Sequence, residues 1–128
     1  MFVEDLDGHV SVWKAKGSEI PNRRSKLHIM ARELLRGRFP TMQILEEVAI
    51  NPRIKSTLFL DFFIPLRKLA IEVQGEQHFK FNTMYHSSRQ DFINQRKNDR
   101  DKSEWCNING IELISLRYDN MDEWDKIL

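Results

Sequence analysis

The sequence predicts an α/β fold in which a mixed central sheet is flanked by helices, with the core order α-β-β-β-α-β. One segment has the apolar spacing of an amphipathic helix, a second long segment is interpreted as a helix, and four short apolar runs have the length of strands. The middle runs lie close enough to be joined by hairpins. The 128 residues suit one domain, with its core at about residues 25–118. No apolar run approaches the roughly 18 residues that a membrane span needs, so we expect no membrane partner.

The first predicted helix begins after Ser25, a favourable N-cap residue, and runs to about residue 36. Arg32 and Arg36 are expected on its exposed side, and Gly37 is expected to end it. Its apolar residues have the spacing of one buried stripe: Leu27, Met30, Ala31, Leu34 and Leu35.

The remaining elements follow from apolar runs and turn signals. The residues Asn51-Pro52-Arg53 are interpreted as a turn between the first two strands of the sheet. A short N-terminal strand is predicted over residues 9–13. The predicted sheet strands cover residues 43–50, 57–64, 69–75 and 111–118, and the later helices cover residues 88–107 and 121–128.

The formal net charge of +1 conceals a basic cluster. Between Lys14 and Arg38 the chain has eight basic residues against two acidic ones. Because nucleic-acid binding follows the local field, this segment is a candidate phosphate-binding surface, with a solvated helix face as the alternative. The candidate DNA contacts are Arg23, Arg24, Lys26, Arg32, Arg36 and, from the second long helix, Lys102.

Two acidic residues interrupt apolar strands at facing positions. A hairpin turn centred on residues 65–68 would place Asp61 directly opposite Glu72, with Cβ atoms about 4.5–5.5 Å apart. Two carboxylates at that distance in an apolar sheet need a cation, a shared proton or a basic partner. Mg²⁺ fits because proteins commonly hold it through one or two carboxylates, together with waters and substrate phosphate.

Three further residues are candidates for the same site. Gln74 projects from the same strand face as Glu72 and is placed to orient a water or a phosphate. Asp99 shares a helix face with Phe92 and would point toward the sheet, while Trp105 falls roughly opposite that face. His78 follows a glycine after the strand and is either a surface residue or a general base or acid.

Purely structural roles are the alternative for these acids. Asp99 could pair with Arg96, and Asp61 could pair with Arg67. The four histidines and the single Cys106 lack the paired ligand spacing of structural zinc.

The segments Leu-Asp-Phe-Phe-Ile-Pro at 60–65 and Ile-Glu-Val-Gln-Gly-Glu-Gln-His-Phe at 71–79 resemble the PD-(D/E)XK nuclease superfamily. The similarity is closest to the small very-short-patch-repair-like endonucleases, which include phage-encoded and homing members. Residues 98–102 and 109–114 are similar to that group's helix, turn and last strand. The resemblance covers residues 25–118 and implies a restriction-endonuclease-like core.

The resemblance also implies roles for individual residues. Asp61 would be the central ligand of Mg²⁺ or Mn²⁺, with Glu72 in the second acidic position of the motif. His78 and Asp99 match the group's additional catalytic positions. Gln74 replaces the motif's lysine.

Two roles in the motif are therefore unfilled in this sequence. A substitute cation could come from Arg96, Lys97 or Lys102. The acid expected from the first helix or strand is missing at position 28, so Glu47, or else Glu46, is its candidate substitute.

Together these features predict a Mg²⁺-dependent endodeoxyribonuclease whose partner is DNA. The short chain leaves little room for a separate recognition domain, so specificity is expected to be low or to come from a homodimer. The single cysteine and the acidic N-terminus favour a cytoplasmic location, or the host cell interior for a phage-encoded enzyme. Two alternatives stay open: an inactive nucleic-acid-binding module on a degenerate nuclease fold, and a host-interaction protein that docks through an exposed Trp105 and the acidic tail.

Overall fold

The computed structural model describes residues 1–17, 25–76, 79, 81, 86 and 88–128, and it shows a mixed α/β architecture. None of the helices in these ranges is long and apolar enough to cross a membrane. In chain order the elements are β1 (Phe2–Glu4), β2 (Val10–Val12), α1 (Lys26–Arg38), β3 (Leu45–Arg53), β4 (Ser56–Ile64), β5 (Leu69–Gln74), α2 (Arg89–Ile108), β6 (Glu112–Arg117) and α3 (Trp124–Ile127).

The main sheet has four strands in the order β3-β4-β5-β6. β4 pairs antiparallel with both β3 and β5, and β6 lies parallel to β5. A parallel pair needs a long crossover connection, and α2 lies in it. The predicted mixed sheet with flanking helices is therefore confirmed, and the order α-β-β-β-α-β runs from α1 to β6.

The two long helices cover opposite faces of the sheet. Phe62 packs in a buried cluster with Leu35 of α1, whereas the next residue, Phe63, packs in a cluster with Trp105 of α2. Successive strand residues point to opposite faces, so α1 and α2 lie on opposite sides. The small β1–β2 hairpin leads to Trp13, whose ring packs edge-on against Phe63 and Trp105.

The alternation of faces breaks at the level of Asp61. Phe62 belongs to the cluster on the α1 side, but Leu60, two residues earlier, belongs to the cluster on the α2 side. At the same level of β3, Glu47 has a φ of 54°, a left-handed conformation that redirects a strand in the manner of a bulge. The kink takes Asp61 out of regular strand pairing.

Three local predictions are wrong. Residues 51–53 continue β3 instead of forming a turn, because β3 is an edge strand, where proline is tolerated. The carbonyl oxygen of Pro52 accepts a hydrogen bond from the Leu6 amide at 2.8 Å. Gly37 lies inside α1, which ends at Arg38. Trp105 is buried, with 1% of its surface exposed, because α2 presents it to the core beside Trp13.

Candidate active-site cleft

The centre of the site is the pair formed by Asp61 and Glu72. The predicted hairpin register is confirmed, since Phe62 pairs with Ile71 and the next pair outward would be Asp61 with Glu72. At that level side chains replace the backbone ladder. The Asp61 amide donates to Oε2 of Glu72 at 3.1 Å, and the Val73 amide donates to Oδ2 of Asp61 at 2.8 Å.

Lys102 of α2 supplies the cation that this pair requires. Its Nζ atom lies 2.7 Å from Oε1 of Glu72, and both side chains are largely buried. Oε1 is buried and accepts no hydrogen bond of good geometry, so the contact with Lys102 is an interaction of charges. Arg96, Lys97 and Lys102 are the candidates to replace the lysine that the motif has at position 74. Among these three, Lys102 contacts Glu72.

The charges and burial of this cluster shift its ionisation. Burial, and next the charge of Asp61, raise the pKa of Glu72 well above its usual value, while Lys102 opposes the shift. Burial alone would lower the pKa of Lys102, but the charges of Glu72, Asp61 and Asp99 outweigh it and the net effect is to raise that pKa. Glu72 therefore holds a proton more strongly than an exposed carboxyl group does, and Lys102 keeps its charge although it is largely buried.

A cleft of about 520 Å³ opens beside this cluster, between the sheet and α2. Asp61 is half-buried behind Glu72 and is not among the residues that line the cleft. Gln74 and Asp99, two of the candidate site residues, line it. The polar and charged lining residues are Glu72, Gln74, Arg96, Asp99, Arg100, Lys102, Ser103 and Ser115.

The donor set of the site fits a hard divalent cation. The backbone amides occupy Oδ2 of Asp61 and Oε2 of Glu72, so a metal ion would bind Oδ1 of Asp61 and would share or replace the contact of Lys102 with Oε1 of Glu72. Oε1 is a buried charged atom without a well-formed hydrogen bond, which is the kind of atom that a cation neutralises. Within the ranges that the structure describes, no group of three or more His, Cys, Asp or Glu side chains converges. Two carboxylates with substrate phosphate and water still suffice for Mg²⁺.

Glu47 and Glu46, the two candidates for the additional acid, are consecutive residues of β3. Glu47 is half-buried at the level of Asp61. Glu46, its alternative, points to the opposite face, where Oε1 lies 2.7 Å from Nε2 of His28 and Oε2 accepts a bond from Nε of Arg32 at 2.8 Å. His78, the predicted proton-transfer residue, lies outside the described residues.

The expectation that Arg32 lies on the exposed side of α1 is wrong. Arg32 is buried, and it makes two hydrogen bonds with Glu46. Burial would raise the pKa of Glu46, but the bonds from Arg32 and His28 lower it overall. The guanidinium group of Arg32 is thus engaged by Glu46, which favours a structural role for this residue.

The other candidate DNA contacts on the first helix are not brought to the cleft. Lys26 and Arg36 are exposed, but they belong to α1, which covers the face opposite α2. Arg23 and Arg24 lie outside the described residues. Sequence reasoning missed Arg100, although its position one turn after Arg96 on a helix was a signal that the two arginines share a face.

The fold and the cleft define a mixed α/β protein with a paired-carboxylate and lysine site. No protein-family model matches the sequence, and no solved structure matches it. The chain is similar to three viral proteins that each bear the name "uncharacterized protein". Protein 033L of Invertebrate iridescent virus 3 is 35% identical over 68 residues, which cover 53% of this chain and 35% of that protein.

The other two relatives match to a similar extent. Protein 307L of Invertebrate iridescent virus 6 is 38% identical over 61 residues, covering 48% of this chain and 31% of the relative. Protein 094L of Frog virus 3 is 37% identical over 70 residues, covering 54% of this chain and 45% of the relative. The matched region therefore spans less than half the length of each relative.

Proposed function

We propose that the protein is a metal-dependent DNA endonuclease that hydrolyses phosphodiester bonds. The observation that carries this proposal is the Asp61–Glu72 pair, held by reciprocal side-chain to backbone hydrogen bonds, with Lys102 2.7 Å from Glu72. Buried like charges are costly to maintain, so a pair of this kind favours a functional role over a purely structural one. The element order supports the same class, because it is the order that the sequence resemblance implies.

Each residue of the cluster has a role that follows from its position. Asp61 and Glu72 would hold Mg²⁺ or Mn²⁺, which when bound supplies Lewis-acid polarisation of the scissile phosphate and of the attacking water. Lys102 favours the charged form of Glu72 against the effects of burial and of Asp61, and it offers a positive charge to the phosphate oxygens. Gln74 lines the cleft and can donate an amide hydrogen bond to a phosphate. Asp99 helps to keep Lys102 protonated.

His78 remains the proposed residue for proton transfer, by the resemblance alone. DNA is the proposed partner, and a homodimer is the proposed source of any specificity. The similar proteins are viral, which suits the proposed site of action in the cytoplasm, inside a host cell.

A plasmid assay tests the proposal. The wild type should convert supercoiled plasmid to nicked or linear forms with Mg²⁺ or Mn²⁺, and EDTA should stop the reaction. Asp61→Asn and Glu72→Gln should each slow cleavage by about 100-fold or more, because each removes a charge that stabilises the transition state. Asp122→Asn is the matched control, since Asp122 is an exposed acid of the C-terminal segment. Failure of the wild type to cut, or equal cutting by all three variants, refutes the proposal.

An inactive nucleic-acid-binding module is the second candidate, and one observation favours it. Lys102 already contacts the Glu72 oxygen that would otherwise bind metal, while position 74 has a neutral amide. A lysine in that position can substitute for a metal as well as assist one. DNA binding without cleavage, and without heat of Mg²⁺ binding in calorimetry, would select this function. The host-interaction alternative loses its docking residue, because Trp105 is buried.

A further inference from the structure

We propose that the cleft takes a single-stranded segment of DNA, of which a base stacks on the ring of Phe79 while the phosphates follow the arginines of α2. The identity of the strand as DNA rests on the proposed function. The single-stranded character rests on the Phe79 ring, the charges and the size of the cleft.

One aromatic ring, that of Phe79, and two guanidinium groups, those of Arg96 and Arg100, line the cleft. Phe79 is half-buried and lines it, and the Cζ atom of Arg117 lies 3.9 Å from the centre of that ring. Arg96, also in the lining, lies with its Cζ atom 5.8 Å from the ring centre of Phe92. Aromatic faces beside a positively charged groove are the combination that single-stranded nucleic-acid sites use.

The charges at the mouth of the cleft complement a phosphate backbone. Arg96 and Arg100 are exposed, and neither makes an ion pair with a carboxylate in the described part of the chain. By contrast, Arg53 on another surface is bound to Asp7 and Asp101. Two guanidinium groups one helical turn apart, each without a carboxylate contact among the described residues, suit successive phosphates of one strand.

The Phe79 ring lies near the carboxylates because of the parallel β5–β6 pair. Arg117 is the register partner of Gln74, and Ser115 is the register partner of Glu72. Arg117 covers one face of the Phe79 ring, so a base stacked on the other face would lie about two strand residues from Glu72. The phosphate attached to such a base would reach the side chains of Glu72 and Lys102.

The size of the cleft favours an unpaired strand. About 520 Å³ lies in the range that encloses a small ligand, which corresponds to a nucleotide and not to a duplex. Bases inside a duplex are stacked on each other and cannot stack on Phe79 without being extruded, which costs a few kcal/mol per base. A single strand offers its bases at no such cost.

Binding of labelled oligonucleotides to the full chain that carries Asp61→Asn tests this inference without cleavage. Fluorescence anisotropy would compare fluorescein-labelled oligothymidine of about 20 nucleotides, which can span a site of this class, with a hairpin duplex of similar length. We expect the single strand to bind at least about tenfold more tightly than the duplex. Adding Phe79→Leu should weaken single-strand binding about tenfold, and adding Phe79→Tyr, which keeps the ring, should not.

Phe59→Leu, in the same Asp61→Asn background, is the matched control, because Phe59 is an exposed phenylalanine of β4 and is not part of the cleft lining. Equal affinity for single strand and duplex, or equal effects of Phe79→Leu and Phe59→Leu, overturns the inference. A preference for oligouridine RNA over the DNA strand overturns the assignment to DNA.

The failure of this inference can be distinguished from the failure of the proposed nuclease function. If wild-type protein cuts no DNA but the single strand binds in a Phe79-dependent way, the nuclease proposal fails and this inference holds. If the wild type and Phe79→Leu cut duplex plasmid as fast as single-stranded circles, the nuclease proposal holds and this inference fails.

Discussion

Replacing Lys102 with methionine should destabilise the protein in a way that depends on pH. The change keeps an unbranched side chain but leaves buried Glu72 beside Asp61 with no cation. Breaking a buried pair by removing one partner costs about 3–5 kcal/mol, and the partial exposure of Lys102 argues for the lower end, about 3 kcal/mol at pH 8. For a domain of this length, we expect the melting temperature to fall by about 12 °C.

Protonation of Glu72 limits the cost. Its pKa is already raised by burial and by Asp61, and loss of Lys102 raises that pKa further above the unfolded value. A carboxyl group whose folded pKa is raised contributes stability below its unfolded pKa and loses that stability as pH rises through the folded value. The loss of stability caused by Lys102→Met should therefore be large at pH 8 and shrink toward pH 5. It should change by about 1.4 kcal/mol for each pH unit between the folded-state pKa of Glu72 in the wild type and the higher one in the variant.

Thermal unfolding followed by circular dichroism at pH 5 and pH 8 measures this difference. Lys97→Met is the matched control, because Lys97 is an exposed lysine of the same helix. In a Glu72→Gln background the added cost of Lys102→Met should fall below about 1 kcal/mol, since the stranded charge is absent. A melting temperature for Lys102→Met within 2 °C of that for Lys97→Met at pH 8, or an equal deficit at both pH values, would refute the reasoning.

Three further predictions concern other parts of the molecule. Gly17→Ala should lower the free energy of unfolding by about 1–3 kcal/mol in chemical denaturation, because the added Cβ would lie 2.5 Å from the carbonyl oxygen of Glu46. Gly37→Ala should raise it by about 0.5–1 kcal/mol, because position 37 is an open position in a helix. Arg32→Met should cost about 3 kcal/mol at pH 7 by stranding Glu46. That difference from the wild type should shrink as pH falls below 4.5, since the lowered pKa of Glu46 contributes stability only above its unfolded value; equal deficits at pH 3 and pH 7 would contradict this. Native Cys106 should not react with Ellman's reagent at pH 8 but should react after denaturation, because burial raises the pKa of its thiol to about 12.

The paired carboxylates were predictable because a short turn fixes a hairpin register. Pro65 begins a single turn of 3₁₀ helix, and Lys68 closes it in a left-handed conformation. With those residues as the connection, the pairing of every residue in β4 and β5 follows. The position of Asp61 opposite Glu72 therefore needed only local information.

The misplaced residues were those whose partners are distant in sequence. Arg32 is polar and falls off the apolar stripe of α1, but Glu46 of β3 makes its burial favourable. On α2 the helical face was anchored at Phe92, which is only half-buried, so Trp105 was assigned to the wrong side. A helix with few apolar residues gives no reliable buried stripe, and tertiary contacts then decide which face is covered.

Two backbone amides of the hairpin donate their hydrogen bonds to carboxylates instead of to backbone carbonyl groups, so their protons can serve as spectroscopic probes. The amide of Asp61 is bound to Glu72, and the amide of Val73 is bound to Asp61, so each proton senses the charge of a different acid. Their chemical shifts will respond to changes of charge in the carboxylate pair, and a cation that binds both carboxylates will move both resonances together. The backbone of this hairpin can thus report the occupancy of the site without any label on a ligand.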